Sequence, residues 1–512
     1  MSACEQTGPS DISEAILKYE SDIVRHIREL VRIRSVAGTP EPGKPFGEGP
    51  ARALRYMLEL GESMGFRSAD IDGYAGHLEY GEGDEMAAIL VHLDTVPEGE
   101  GWTADPFGGD VEGGRIYGRG AADDKGPAVV ALYALKAFAD LGIAPRRRLR
   151  IIFGTNEENG MTDMDHYFAQ EPLPEFGFSP DAGYPVIHAE KGIYVVELNW
   201  KARTQPQLIG ARNRSSESDS GPSPMGNGTT GSDIRLSAVE LCIVSMEGGS
   251  APNMVPDSCR AVVEAGEEAA RMILQAASGH ERITADRMEN GRLVLTAAGK
   301  SGHGSYPPSG INAIAHMAAF LADLALGSDK EDASPAARLK AFLAKRIGFE
   351  AFGESLGIAC SDPVHGRLTV NLAQVSLNAE ESRVILNIRV PVVFDGEELV
   401  SQLRNRLQAD GIRLTVQSWL PPLYVPPEHP LIRKLNRAYE TVTGESAGLL
   451  SIGGGTYARK LQGRGVAFGA GFPGGPDNHA HQPDEFVGIA DMMRHGRVCL
   501  QAIYELIGMP DD

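Results

Sequence analysis

Residues 86–94 read MAAILVHLD, an unbroken apolar run that closes on His92 and Asp94. A run of this length without polar alternation predicts a strand buried on both faces. Such a strand needs helices packed on either side. The neighbouring segments supply them. Residues 12–33 place Ile16, Ile23, Ile27, Leu30 and Val31 at helical spacing, and residues 50–66 read as a second amphipathic helix. Residues 128–142 read as a helix ended by Gly142, and 146–160 as a strand running into a loop. Strand and helix alternate, so the fold class is α/β with a largely parallel sheet. In such sheets ligands gather beyond the carboxyl ends of the strands.

The 512-residue length exceeds one ordinary core and predicts more than one domain. The pattern changes after residue 191. Residues 203–232 are rich in Ser, Gly and Pro without apolar period, and read as a flexible surface insertion. Strand–helix units follow, and α/β character resumes near 418, with a helix at 430–443. The expected layout is therefore discontinuous: a catalytic domain from 1–191 and 418–512, and an inserted domain from 192–417.

Forty-eight Lys and Arg stand against 69 Asp and Glu, a formal charge of −21. That field repels phosphate backbones and anionic lipid, which argues against nucleic-acid and membrane partners. The five cysteines are scattered, with no Cys-x-x-Cys pair, as in a reducing compartment. The first residues, MSACEQTGPSD, lack a basic-then-apolar signal, and no apolar run reaches spanning length. Together these predict a cytoplasmic protein.

The candidate chemistry lies in Gly-rich loops directly after the strands. His92 and Asp94 are two apart and face one side. YGRGAADDKGP (117–127) carries Asp123 and Asp124, TNEENG (155–160) carries Glu157 and Glu158, and SPDAGYP (179–185) carries Asp181. FPGGPDNHAHQPDE (472–485) carries Asp477, His479, His481, Asp484 and Glu485. Each piece alone fits a structural role: a satisfied core His, a solvated Glu pair, a turn-forming Asp. Imidazole and carboxylate together, without thiolate, suit a hydrolytic Zn²⁺ or Mn²⁺ site.

In order and spacing, VHLDTVP, GRGAADDKG, NEENG, PDAGYPVIHAEKG, SGHGSYP and HAHQPDE resemble the motifs of the co-catalytic di-zinc metallopeptidases. That family includes ArgE and DapE deacylases, aminoacylases and carnosinases, and the likeness is closest to its PepV-like dipeptidases. The resemblance implies a phosphorylase/hydrolase-like catalytic domain with a mixed, largely parallel sheet. It also implies an inserted α+β lid domain, ferredoxin-like and doubled. It implies two divalent ions, Zn²⁺ first, with Mn²⁺ or Co²⁺ as alternatives. His92, Asp123 and Asp181 would hold one ion, and Asp123, Glu158 and His481 the other. Asp94 would fix the His92 ring, and the Asp123–Asp124 peptide would be cis. A hydroxide bridging the ions would attack the scissile carbonyl, with Glu157 as general base. Three ligand carboxylates and the hydroxide would then balance two divalent cations.

In KSGHGSYPPSGINA (300–313), His303 reads from the residues alone as a loop residue, and by resemblance as the donor to the oxyanion. GGSAPNMVPD (248–257) and NIRVP (387–391) imply that Asn253 and Arg389 grip a substrate carboxylate. Without the resemblance Arg389 reads equally well as a surface strand residue. SIGGGTYARK (451–460) lacks the Lys-Ser/Thr of a phosphate cradle. Its Gly455 and Thr456 are instead assigned to the carboxylate pocket. The roles of His188 and His479 stay open, with His479 placed beside the site or at the surface. A doubled lid would supply His303 within one chain and favours a monomer over a dimer.

The expected function is a metal-dependent dipeptidase acting on short peptides. The alternatives are an N-acyl-amino-acid deacylase on the same site and a non-catalytic peptide-binding homologue. The last would usually lack ligands or the base, and all are present here.

Overall fold

A computed structural model describes residues 9–201, 241–324 and 335–509. The Ser/Gly-rich stretch 203–232 lies outside the described residues. The chain divides into two compact units, Met1–Lys191 with Pro421–Asp512, and Gly192–Leu420. The second crossover falls three residues beyond 417/418, because the Arg413–Leu420 strand continues the sheet of the inserted unit.

The two-segment unit is built on a nine-stranded mixed sheet. Its centre is the Met86–His92 strand, every residue of which is buried. This strand runs parallel to Arg148–Gly154 on one side and to Phe176–Ser179 on the other. The run of apolar residues is thus explained by burial on both faces. Antiparallel strands Ala75–Tyr80 and Arg67–Ile71 extend one edge. Gly465–Ala467, Val186–Glu190, Leu449–Ile452 and Leu423–Tyr424 extend the other.

Helix Gly126–Asp140 is buried along almost its whole length against the central strand and the helix Ile489–Ile503. Residues 12–33 form several helical pieces, Pro9–Glu14, Leu17–Tyr19 and Glu20–Val31. The last buries Ile23, Ile27, Leu30 and Val31, the stripe that its spacing predicts. Pro430–Thr443 ends at Gly444, whose φ of 71° is the left-handed cap that glycine adopts without a Cβ clash.

The inserted unit carries one eight-stranded sheet, antiparallel throughout. In space its strands run Ile283–Arg287, Leu293–Ala298, Ser258–Ala265, Leu241–Gly248, Thr369–Leu377, Glu381–Val390, Gly192–Lys201, Arg413–Leu420. Helices Glu267–Ser278, Ala313–Leu324, Pro335–Phe342 and Gly396–Ala409 accompany it, and the unit has its own apolar core. Among the described residues no helix is long and apolar enough to cross a membrane.

Candidate metal centre and recognition network

The central parallel strands end together, and their loops bring the motif residues to one place. His92 is the last residue of its strand and pairs in register with Gly154. A Cβ at Gly154 would lie 2.0 Å from the Tyr457 hydroxyl, so only glycine leaves that ring its place beside His92. Tyr457 in turn donates its hydroxyl to Asp163, which also accepts from the N–H groups of Thr155 and Asn156. Asp163 so shapes the turn leading into Glu157 and Glu158.

His92 Nε2 lies 2.8 Å from Asp123 Oδ1 and 3.8 Å from Asp181 Oδ2. His481 Nε2 lies 3.0 Å from Asp123 Oδ2 and 3.1 Å from Glu158 Oε1. Two triads result, His92–Asp123–Asp181 and Asp123–Glu158–His481, with Asp123 common to both. The Asp123–Asp124 peptide is cis. The five residues assigned to metal from sequence come together in these two groups. His479 and His188 belong to neither. His479 faces Phe486, and His188 is buried with Nδ1 2.9 Å from the Val425 carbonyl.

The electrostatics of the cluster follow from burial and charge. Burial raises Asp181 well above the usual carboxylate range, and the Asp123 charge adds to it. Burial also raises Glu157 well above its ordinary value, reinforced by Asp181. Asp123 moves the other way: burial opposes its charged form, but His481 and His92 hold it well below. Four carboxylates crowded below the surface call for positive charge nearby. Hard carboxylate oxygens and imidazole nitrogens, without thiolate, are a donor set that fits divalent ions.

Asp94 is fully buried, and its carboxylate accepts the N–H of Glu157 at 3.0 Å and of Glu158 at 3.2 Å. His92 Nδ1 sits 3.0 Å from the Asp94 backbone carbonyl and 3.6 Å from its carboxylate. The residue thus holds the ring through its main chain and the Glu157–Glu158 turn through its side chain. Asp124, also buried, accepts the N–H of His92 at 3.2 Å. A cavity of about 310 Å³ adjoins Asp123 and Asp181, walled by Phe472, Phe486 and Met492.

Thr456 is buried and gives both its N–H (3.2 Å) and its hydroxyl (2.8 Å) to Glu190. Glu190 also pairs with Arg459 at 2.6 Å. Arg459 donates to the carbonyls of Gly454, Lys191 and Pro421. Gly455 sits against this guanidinium, where a Cβ would lie 2.7 Å from Nε. The glycine turn is therefore tied to the inner ends of both segments of its unit.

The remaining assigned residues lie in the inserted unit, where they form one network. His303 is exposed, with Nδ1 2.6 Å from Ser305 Oγ. Gly304 donates its N–H to the Asn253 carbonyl at 2.6 Å, so the two loops are joined. Asn371 Nδ2 donates to the carbonyls of Met254 and Pro252 and pairs across the sheet with Asn387. Arg389 is buried and donates from Nε to Asn387 Oδ1 at 2.7 Å. Thr369, opposite Arg389, donates to the Ser305 carbonyl at 3.0 Å. Sequence reading missed Thr369, Asn371 and Asn387. Their one visible signal is polar residues at alternate positions in otherwise apolar strands.

A mixed sheet whose strand ends gather two triads around one aspartate offers a site for a pair of divalent ions. The profile of "Peptidase family M20/M25/M40" matches residues 88–505. "Putative dipeptidase YtjP" of Bacillus subtilis is 38% identical over 498 residues, covering 96% of this chain and 98% of that protein. "Putative dipeptidase SH1171" of Staphylococcus haemolyticus is 33% identical, with the same coverage. Human carnosine dipeptidase 1 shares the fold, with TM-score 0.57 at 14% identity over 98% of this chain and 99% of that one. The di-peptidase Dug1p of Saccharomyces cerevisiae does so with TM-score 0.56 at 13% identity, again over 98% and 99%. The chain belongs to peptidase family M20/M25/M40. It is a hydrolase acting on peptide bonds.

Proposed function

We propose that this protein is a metal-dependent dipeptidase whose reaction is centred on Asp123. The observation that carries the reading is the sharing of Asp123 by two triads, with Glu157 beside them and in neither. His92 and Asp181 complete one site, and Glu158 and His481 the other. Divalent ions held there, Zn²⁺ foremost, would polarise the scissile carbonyl and acidify a water molecule. Glu157 takes the proton of the attacking water and returns it to the leaving amine. Asp94 keeps Glu157 aimed by holding its N–H. His303, oriented by Ser305, donates to the developing oxyanion. Asn253 and Arg389 hold the substrate's terminal carboxylate, with Asn387 orienting the guanidinium. Gly455 and Thr456, in the glycine turn held by Glu190 and Arg459, are likewise assigned to the substrate carboxylate, and the reading is of short substrates only. The cavity beside Asp181 has room for an amino-acid side chain and supports broad tolerance there.

The lid reading extends to its doubling. Gly192–Lys201, Thr369–Leu377, Glu381–Val390 and Arg413–Leu420 stand in the spatial order 4-1-3-2 of a ferredoxin-like unit. The other four strands show a circular permutation of that order. Two such halves in one chain support a monomer, which gel filtration with light scattering tests.

The test of function uses chelated protein reloaded with one metal at a time. Ala-Ala and similar dipeptides are expected to turn over, and N-acetyl amino acids to be poor substrates. Turnover confined to the acylated compounds would replace the reading with the deacylase.

A further inference from the structure

We propose that Glu485 and Arg119 are positioning residues that set the second triad by locking the turn of Asp123 to the loop of His481. The inference rests on the metal-centre reading above. Glu485 lies four residues after His481. Its Oε1 accepts the N–H groups of Ala122 (3.0 Å) and Asp123 (3.2 Å). Its Oε2 accepts the N–H of Gly120 (3.1 Å) and Nη1 of Arg119 (2.6 Å). Its own carbonyl accepts the N–H of Gly118 at 2.9 Å. One residue therefore engages four of the six main-chain donors from Gly118 to Asp123.

The pair is sealed from water, Glu485 being 1% and Arg119 2% exposed. Burying two charges is unfavourable unless the geometry is well satisfied, and breaking such a pair leaves an uncompensated charge. Arg119 is itself held, donating from Nη2 to the Glu98 carbonyl at 3.2 Å, with its guanidinium 5.2 Å from the Trp102 ring. The His481 loop is closed at its neck by the Phe486 N–H to the Asn478 carbonyl, 3.0 Å. Asp484 pins its far side by accepting the N–H and hydroxyl of Thr103.

The two sides of Asp123 are thus held by different devices. Toward His92 the hold is Asp124, which accepts the His92 N–H. Toward His481 it is Glu485. Removing Glu485's charge should loosen the Asp123–Glu158–His481 site and leave the His92–Asp123–Asp181 site in place. Ligand-supporting contacts of this kind are commonly worth 10–100-fold in metal affinity.

The experiment is calorimetric titration of Zn²⁺ into chelated, full-length protein, with urea unfolding of the same samples. In Glu485→Gln one of two Zn²⁺ ions should bind about 10–100-fold more weakly, the other as in the unaltered protein. Arg119→Met should repeat the pattern and Arg119→Lys should restore part of it, a graded rescue that a purely structural role would not give. Unchanged affinity for both ions in a folded Glu485→Gln, or equal weakening of both in step with lost stability, would overturn the proposal. If Glu485→Gln does not fold, Arg119→Met decides by the same criteria. Unaltered protein that takes up no pair of ions removes the metal-centre reading itself, a result distinct from a pair that Glu485→Gln leaves untouched.

Discussion

In the two-segment unit the buried polar groups around the site include carboxylates and imidazoles, His92, Asp94, Asp124 and Glu485, with Arg119 paired to Glu485. In the inserted unit the buried network around the assigned residues is Thr369, Asn371, Asn387 and one charge, Arg389. The first arrangement is suited to holding cations and moving protons. The second, made of neutral amides and a hydroxyl, can fix a single cationic fork without titrating near neutral pH. On the proposed reading the metal ligands and Glu157 lie in one unit and His303, Asn253 and Arg389 in the other, so each unit can be perturbed separately.

The largest effect should come from the shared ligand. Asp123→Ala removes a donor from both triads, so metal uptake measured by mass spectrometry and calorimetry should fall for both ions, and activity should reach background. Retention of one tight ion would show that Asp123 is not common to both sites. Next, Glu157→Gln should lower kcat about 10²–10⁴-fold with two ions still bound. A kcat near that of the unaltered enzyme would remove Glu157 from proton transfer. In the inserted unit, Arg389→Ala should act on binding instead, raising KM about 10–100-fold for dipeptides, the range of a charged hydrogen bond lost. A matching fall in kcat with KM unchanged would place Arg389 in the chemical step and blur the division.

The last effect is in stability against acid. Burial lowers His77 to about 4 and His495 to about 3, from an ordinary value of 6.5. Below pH 6.5 the unfolded chain takes up protons that the folded two-segment unit refuses. Stability is therefore present above pH 6.5 and is lost as pH falls toward 4, by about 1.4 kcal/mol per pH unit for each His. Hydrogen exchange on chelated protein at pH 7 and pH 5 should show the Ala75–Tyr80 strand and the Ile489–Ile503 helix, which carry these two residues, loosening more than the inserted unit. The reverse order would contradict the contrast in buried groups.

How legible these features were in the sequence depends on where their signal lies. The central strand declared itself because burial on both faces demands an unbroken apolar run, as at Met86–His92. The ligands were legible as candidates because acids and histidines follow such strands in glycine-rich loops, and the resemblance of those motifs to a known family assigned them. Strand order was not, since Val186–Glu190 pairs with Leu449–Ile452 and Leu423–Tyr424 from more than 200 residues away. Nor was the division of labour in Asp94, whose carboxylate serves backbone N–H groups that no residue pattern encodes. Glu485 was visible as an acid near His481, but its partners are main-chain donors more than 350 residues earlier. Asn371 and Asn387 look ordinary in sequence and acquire meaning only by standing opposite one another.

The most direct test of the shared aspartate is anomalous diffraction from crystals of the metal-loaded protein. Two peaks about 3.5–4 Å apart, one on each carboxylate oxygen of Asp123 and neither on Glu157, are the predicted result. A single peak, or a pair in which Asp123 touches only one ion, would contradict it.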